Sequence, residues 1–442
     1  MNKRYKISKY LLFTKSGNGK LIVYNVYRNT YVILEKEKEA EAMLVIDNPN
    51  KYCHTDIFNQ LYDKKIILED NYAESDIIEW EYLKMAYRSD SLSLTIVPTH
   101  DCNLACQYCY QKHVEEYMSE QTYSSLLKCI DKCASKYRSI EINWFGGEPL
   151  LVVDKIIEIS EKIKEIARLH KCAIIQRMTT NGVLLKYETF ERLIKNGILY
   201  YQITIDGPKK IHDKLRPLEG ESSFELIMQN MREISQQSSS RLFHISLRMN
   251  LTRKGLEGIY DLMDEYTQSI GSDKRFGIDL NMADNWGGDS AKEVDFLAED
   301  EYNAQILRIL KYIDSKGLNV QDKLMNVGSM VCDAQKNNGF IIDYDGTIHK
   351  CTIAMFIDEY KELSRVGFIS EDGAMHVAPS KLMLWLNNRT DRSKCRDCSI
   401  YPICMGRPCA YAVNVKNINQ CSLKSRNNPI SRMQFALMRK EI

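Results

Sequence analysis

Cys102-Asn103-Leu104-Ala105-Cys106-Gln107-Tyr108-Cys109 places three thiols in eight residues, spaced C-x3-C-x2-C. Three thiolates this close can wrap one metal site, yet they are one short of the usual four ligands. An open position marks a site for substrate or water, whereas closed coordination marks structure. A zinc site could also use the three Cys with His100 as the fourth ligand. The chain holds 14 Cys in 442 residues. Its N-terminus is basic, but only Tyr10-Leu11-Leu12-Phe13 follows as an apolar stretch, too short for a signal-peptide core. A reducing, cytoplasmic setting is expected, and there cysteines read first as metal ligands or catalytic thiols rather than disulfides. Lys plus Arg is 60 against 59 for Asp plus Glu. Such a balance gives no whole-chain reason to expect nucleic acid or an anionic membrane. No apolar run reaches the length of about 20 residues that a spanning helix needs.

Outward from the three thiols the pattern is β/α. Strand-like runs at 92–97, 140–145, 173–179, 200–205, 244–250 and 276–281 alternate with helical runs such as 154–169, 223–236 and 255–266. Six such repeats predict a parallel sheet curved into a partial (β/α)6 TIM barrel over residues 91–325. Ligands in such sheets bind at the C-terminal ends of strands, and the thiol loop follows the first strand. Residues 1–90 read as a separate unit. Strands are expected at 10–14, 20–26 and 31–35, with a hairpin at Ser16-Gly17-Asn18-Gly19, and helices at 36–45, 55–62 and 74–87. The order suggests a winged-helix-like module. Residues 326–442 are rich in Cys and weakly periodic, as expected of a small domain held by metal.

Further motifs fall at strand ends. Phe145-Gly146-Gly147-Glu148-Pro149 follows the second strand, and its glycines allow close backbone approach to a ligand. Thr179-Thr180-Asn181-Gly182 ends the third. Thr204-Ile205-Asp206-Gly207-Pro208, with His212, Asp213 and Arg216, follows the fourth. Together with the C-x3-C-x2-C loop these resemble the radical S-adenosylmethionine (SAM) enzymes. The resemblance covers roughly residues 91–430. It implies that Cys102, Cys106 and Cys109 hold a catalytic 4Fe–4S cluster whose fourth iron binds SAM. It implies further that Tyr108, Gly146, Gly147, Glu148, Pro149, Thr180, Asn181, Thr204 and Asp206 contact the cofactor. Arg248 and Asn250, on the fifth strand, are weaker candidates and stay outside this set.

The second block runs Cys332, Cys351, Cys395, Cys398, Cys404, Cys409 and Cys421. Alone, C-x2-C followed by C-x4-C could be a zinc ribbon, but seven Cys do not divide into closed four-ligand sites. After a radical SAM motif the array resembles a SPASM domain with two auxiliary 4Fe–4S clusters, three clusters in all. By that resemblance Cys395, Cys398, Cys404 and Cys421 hold the distal cluster, and Cys332, Cys351 and Cys409 the proximal one. One extra residue, in Met405-Gly406-Arg407-Pro408, departs from the usual spacing. Asn326 stands where some relatives supply an eighth Cys, so by the resemblance one iron of the proximal cluster lacks a Cys ligand and takes either a non-cysteine ligand or water, or a substrate thiolate.

The resemblance implies a peptide maturase of the sactipeptide or ranthipeptide type. Such an enzyme cleaves SAM to a 5′-deoxyadenosyl radical and installs a cross-link, here a Cys thioether, in a ribosomally made precursor. A carbon–carbon cross-linking maturase and an anaerobic sulfatase-maturating enzyme are the alternatives. Sulfatase maturases start close to the radical motif and place an Asp base directly after the residue matching Cys351. This chain spends about 90 residues first and has Thr352 there. The implied partners are a precursor with a leader segment and an electron donor such as flavodoxin or ferredoxin. Residues 20–26 and 31–35 would offer the leader a sheet edge.

Overall fold

The computed structural model describes residues 3–287, 289–320, 325–387, 393–407, 409–414, 421 and 429–439. The N-terminal unit contains β1 (Tyr5–Ile7), β2 (Leu11–Lys15), β3 (Leu21–Asn25), β4 (Thr30–Leu34), α1 (Glu39–Asp47), α2 (Asp56–Asp63), β5 (Ile67–Glu69) and α3 (Glu74–Ala86). The Ser16–Gly19 hairpin forms as expected: the Ser16 amide donates to Lys20 O at 3.0 Å, and Gly19 takes φ +84°. In the antiparallel order β2-β3-β4 the middle strand is β3. This corrects the sequence reading at one point, since residues 20–26 cannot present an edge. β4 can.

β3 is buried along its whole length because both faces of this small sheet are covered. Leu21, Val23, Val32 and Leu34 pack with α1 and α2. Tyr10, Leu12, Ile22 and Tyr24 pack instead with Ile78 and Tyr82 of α3 and with Ile400, Tyr401, Ile403, Met405 and Met433 from the far end of the chain. Arg407 lies 3.5 Å above the Tyr82 ring and pairs with Glu79 at 3.0 Å. Residues 1–90 therefore share a core with the C-terminal cysteine region.

The central sheet begins with β6 (Ser91–Ile96) and α4 (Glu120–Ala134). It continues through β7 (Ser139–Trp144), α5 (Val153–His170), β8 (Ala173–Thr180), α6 (Tyr187–Lys195) and β9 (Ile198–Thr204). Then come α7 (Lys209–Leu215), α8 (Ser223–Gln237), β10 (His244–Leu251), α9 (Arg253–Glu257), α10 (Ile259–Ser269), β11 (Phe276–Met282) and α11 (Glu299–Ser315). β6 to β11 are parallel and adjacent in chain order, as right-handed βαβ connections produce. The run 255–266 is two helices. A Cβ at Gly258 would lie 2.8 Å from Pro208, so the break is where the backbone must approach the Thr204–Pro208 loop.

Burial alternates strictly along β6, β7 and β10. Leu92, Leu94, Ile96, Ile140, Ile142 and Trp144 pack in the main core. Ser93, Thr95, Glu141 and Asn143 point to the other face. A sheet covered by helices on both faces would be apolar on both, so the second face here lines a polar hollow.

The C-terminal region is more regular than its sequence suggests. β12 (Gly339–Ile342) adds a seventh parallel strand beside β6. β13 (Thr347–His349), β14 (Arg365–Ile369) and β15 (Met375–Val377) extend it antiparallel. The closing helix Pro429–Met438 packs against both α11 and β2. Among the described residues no helix is long and apolar enough to cross a membrane.

Candidate functional site

The loop after β6 carries Cys102, Cys106 and Cys109, and it is tied down on three sides. Gly147 N donates to Thr99 O at 3.1 Å and Glu148 N to Asp101 O at 2.8 Å. Ala105 N and Gln107 N donate to Pro217 O and Leu215 O at 3.2 and 2.9 Å. His100 Nε2 meets Asp343 Oδ1 of the β12–β13 turn at 2.7 Å. His100 is therefore turned away from the thiols and is no fourth ligand. His113 is the nearby imidazole, with Nε2 3.5 Å from Cys109 Sγ.

The three thiols line a cavity of ≈ 550 Å³ at the C-terminal ends of the parallel strands. Burial pushes Cys102 up to about 12 and Cys109 to about 11. These thiols are protonated at neutral pH unless a cation binds, since coordination deprotonates a thiol. Arg216 Nη1 stands 3.5 Å from Cys106 Sγ and opposes the burial effect there. Among the described residues no three His, Cys, Asp or Glu side chains could hold a single metal ion. The thiols instead share one wall of a space sized for a cofactor. That donor set fits an iron–sulfur cluster with room beside it for a bound molecule.

Of the expected cofactor contacts, Tyr108, Gly146, Gly147, Thr180, Asn181 and Thr204 line this cavity. The Gly pair has a second reason. A Cβ at Gly146 would sit 2.5 Å from Thr99 O, and one at Gly147 would sit 2.0 Å from Asp101 O. Their missing side chains thus make room for the cysteine loop itself. Glu148, Pro149 and Asp206 lie behind the wall. Glu148 is wholly buried, and it accepts hydrogen bonds from Leu150 N (2.9 Å), Thr180 Oγ1 (2.7 Å) and Asn181 N (2.7 Å). Burial raises its carboxyl to about 7 against these donors. It fixes the turn that presents Thr180 and Asn181, and Asn181 Nδ2 reaches Asn103 at 2.7 Å. Asp206 is buried and pairs with Arg216 Nε at 2.6 Å. It also accepts from the Tyr108 hydroxyl and from Asn250 N at 3.0 Å. Arg216 in turn donates to the Tyr108 hydroxyl at 2.6 Å.

The sequence reading missed part of the wall. Arg248 and Asn250 do line the cavity, with Arg248 Nε 2.9 Å from Asn250 Oδ1. Their i, i+2 spacing on a strand whose other face is apolar was the available signal. Asp284 and Trp286, after β11, and Thr352 and Ile353, after Cys351, complete the wall.

The second block falls into two groups. Cys332, Cys351 and Cys409 lie close enough for their charges to interact, and burial lifts Cys351 to about 12. Cys404, raised by burial to about 12, faces Cys398, Cys421 and Cys395 in the same way. Asn326 is exposed and opens a turn through its carbonyl to Ser329 N. Pro408, in the spacing departure, lies outside the described residues.

Comparison with known proteins matches residues 96–263 to the Radical SAM superfamily. The chain is 26% identical over 357 residues to the cysteine-type anaerobic sulfatase-maturating enzyme of Clostridium novyi, spanning 71% of this chain and 87% of that one. It is 23% identical over 308 residues to the sporulation killing factor maturation protein SkfB of Bacillus subtilis, spanning 69% and 68%. Its fold is similar to Streptococcus suis SuiB bound to precursor peptide SuiA, with TM-score 0.52, 17% identity and coverage of 95% and 100%. A similar likeness, TM-score 0.56 and 18% identity, holds to anSMEcpe with bound AdoMet, covering 79% of this chain and 97% of that one. The cysteine loop, the strand-end motifs gathered on its cavity and the match over residues 96–263 lead to one conclusion: residues 96–263 form a radical SAM domain.

Proposed function

We propose that the chain is a peptide maturase that installs a Cys thioether in a ribosomally synthesised precursor. The observation that carries this reading is that one cavity joins the radical-motif thiols to Thr352 and Ile353, next to Cys351 of the second cysteine block. A substrate in that cavity touches both cysteine regions. In this reading residues 91–325 form a partial barrel, residues 326–442 a SPASM domain with two auxiliary clusters, and residues 1–90 a winged-helix-like recognition element. When bound, SAM and its cluster supply a radical that removes a hydrogen atom from an unactivated carbon.

The chain's own residues do the rest. Cys102, Cys106 and Cys109 hold the cluster. Tyr108, Thr180, Asn181 and Thr204 face the cofactor, while Glu148 and Asp206 hold those groups in place. Arg216 sets a fixed positive charge beside Cys106. The polar wall orients one C–H bond, the kind of positioning that makes a step effectively unimolecular. β4 offers its outer edge to the leader, since among the described residues no strand pairs there.

The sulfatase-maturase alternative is supported by the Clostridium novyi relative. Against it stand Thr352 in the wall and the likeness to SuiB, which extends over 95% of this chain whereas that to anSMEcpe covers 79%. The test is to incubate the anaerobically reconstituted enzyme with a candidate Cys-rich precursor peptide. A thioether removes two hydrogens and one alkylatable thiol per cross-link. Loss of two hydrogens with every Cys still labelled by iodoacetamide would replace the thioether by a carbon–carbon bond. An unmodified peptide would reject the maturase reading for that substrate class.

A further inference from the structure

We propose that Asp284 is the proton acceptor of the cross-linking step. This rests on the maturase reading, though not on which bond is formed. Joining two residues takes two hydrogens from the peptide. One leaves as an atom when a C–H bond breaks homolytically, and it ends in 5′-deoxyadenosine. The other leaves as a proton. For a thioether, the S–H bond breaks, the sulfur lone pair and the carbon radical form the C–S bond, and the surplus electron would pass to an oxidised iron–sulfur cluster held by the second cysteine block. For a carbon–carbon bond, the radical adds to the partner residue, which then releases a proton to the base and an electron that would pass to an iron–sulfur cluster held by the second cysteine block. Either route needs a base that can reach the peptide.

Asp284 is the one carboxylate among the described residues lining the cavity. Glu148 is walled off and saturated by three donors, and Asp206 is held by Arg216, Tyr108 and Asn250 behind the wall. The imidazole in the lining, His113, is turned to Cys109 Sγ at 3.5 Å. Position 352, beside Cys351 in the wall, is Thr and offers no carboxylate. The structure thus places a carboxylate on the same cavity from a different element, the loop leaving β11.

That loop is built to hold a side chain still. Ala283 N donates to Leu251 O at 3.0 Å, and Asn285 Oδ1 caps the turn by accepting from Gly287 N at 3.0 Å. Trp286 packs against the apolar cluster of Ile348, Ala354 and Trp385, as do Cys351 and Ile353. Gly287 takes φ +105°, with Ile357 Cδ1 3.4 Å from where its Cβ would be. Asp284 is therefore anchored on both sides, between the radical site and the second cysteine region.

The test is Asp284→Asn, which keeps size and removes the base, with Asp284→Glu as the conservative partner. Wild type and variants, equal in iron and sulfide content, are given SAM and the candidate Cys-rich precursor peptide. The ratio of cross-link to 5′-deoxyadenosine should fall by about 10²-fold or more in Asp284→Asn, the range for a lost general base. Asp284→Glu should recover a measurable part. A peptide-centred radical should build up in the Asn variant and be visible by electron paramagnetic resonance. An unchanged ratio would overturn the proposal. So would a parallel loss of 5′-deoxyadenosine and cross-link, because that assigns Asp284 to cofactor or peptide binding. Wild type that forms no cross-link would instead reject the maturase reading.

Discussion

Gly147→Ala is the most exacting test of how the cysteine loop is held. The new Cβ would lie 2.0 Å from Asp101 O, 2.6 Å from Asp101 C and 2.7 Å from His100 O. All three are backbone atoms, so no side-chain rotation relieves the clash. To regain ordinary carbon contact at about 3.5 Å, the 99–102 segment must retreat by more than about 1 Å. That movement stretches the bonds from Gly147 N to Thr99 O and from Glu148 N to Asp101 O. Overpacking at about 1–3 kcal/mol and two weakened hydrogen bonds at about 0.5–1.5 kcal/mol each give a cost of roughly 2–6 kcal/mol. Because Cys102 directly follows Asp101, the displacement passes straight to a proposed cluster ligand. A misplacement near 1 Å can cost about 10²-fold in rate. The assay compares iron per chain, 5′-deoxyadenosine release and thermal midpoint after anaerobic reconstitution. Gly17→Ala is the control: nothing lies within 4 Å of its Cβ, and it should be neutral. Full iron content and wild-type cleavage in Gly147→Ala would refute the close-packing account.

Asp206→Asn leaves Arg216 buried without its counter-charge and should cost about 3–5 kcal/mol, read as a lowered denaturant midpoint; an unchanged midpoint contradicts the pairing. His212 is held near 4 by burial, and its Nδ1 accepts from Asp206 N. Its folded-state value is depressed, so the stability it confers is present above about 6.5 and lost as pH falls towards 4. The loss reaches about 3 kcal/mol over that window. His212→Gln should flatten the pH dependence of unfolding by that amount, and an identical slope would argue against a neutral His212. Removing residues 1–90 uncovers Tyr401, Ile403 and Met405, so the truncated chain should lose auxiliary iron or solubility, not precursor affinity alone. A soluble truncation with full iron would show that the shared core is dispensable.

The six parallel strands could be read from sequence because each is a strand-like run of six or more residues beside a clear helical run, with strict alternation in β6, β7 and β10. β12 could not. Gly339-Phe340-Ile341-Ile342 is too short to show a period, and its pairing with β6 joins residues about 250 apart. The β1–β5 pair was hidden for the same reason. The cysteine loop and six of the residues lining its cavity were visible as motifs, since chemistry limits residue type and spacing there. The roles of Glu148 and Asp206 were not, because a motif does not say whether a carboxylate faces the ligand or braces the residue that does. Arg248, Asn250 and Asp284 had no flanking signature; only the assembled sheet brings them onto one cavity.

The central claim is that this enzyme takes a hydrogen atom from a precursor peptide, and isotope transfer tests it most directly. The candidate Cys-rich precursor peptide is prepared fully deuterated at carbon and turned over with unlabelled SAM. The account predicts 5′-deoxyadenosine carrying one deuterium for each cross-link formed. 5′-Deoxyadenosine that forms in the presence of the peptide without any deuterium would contradict it.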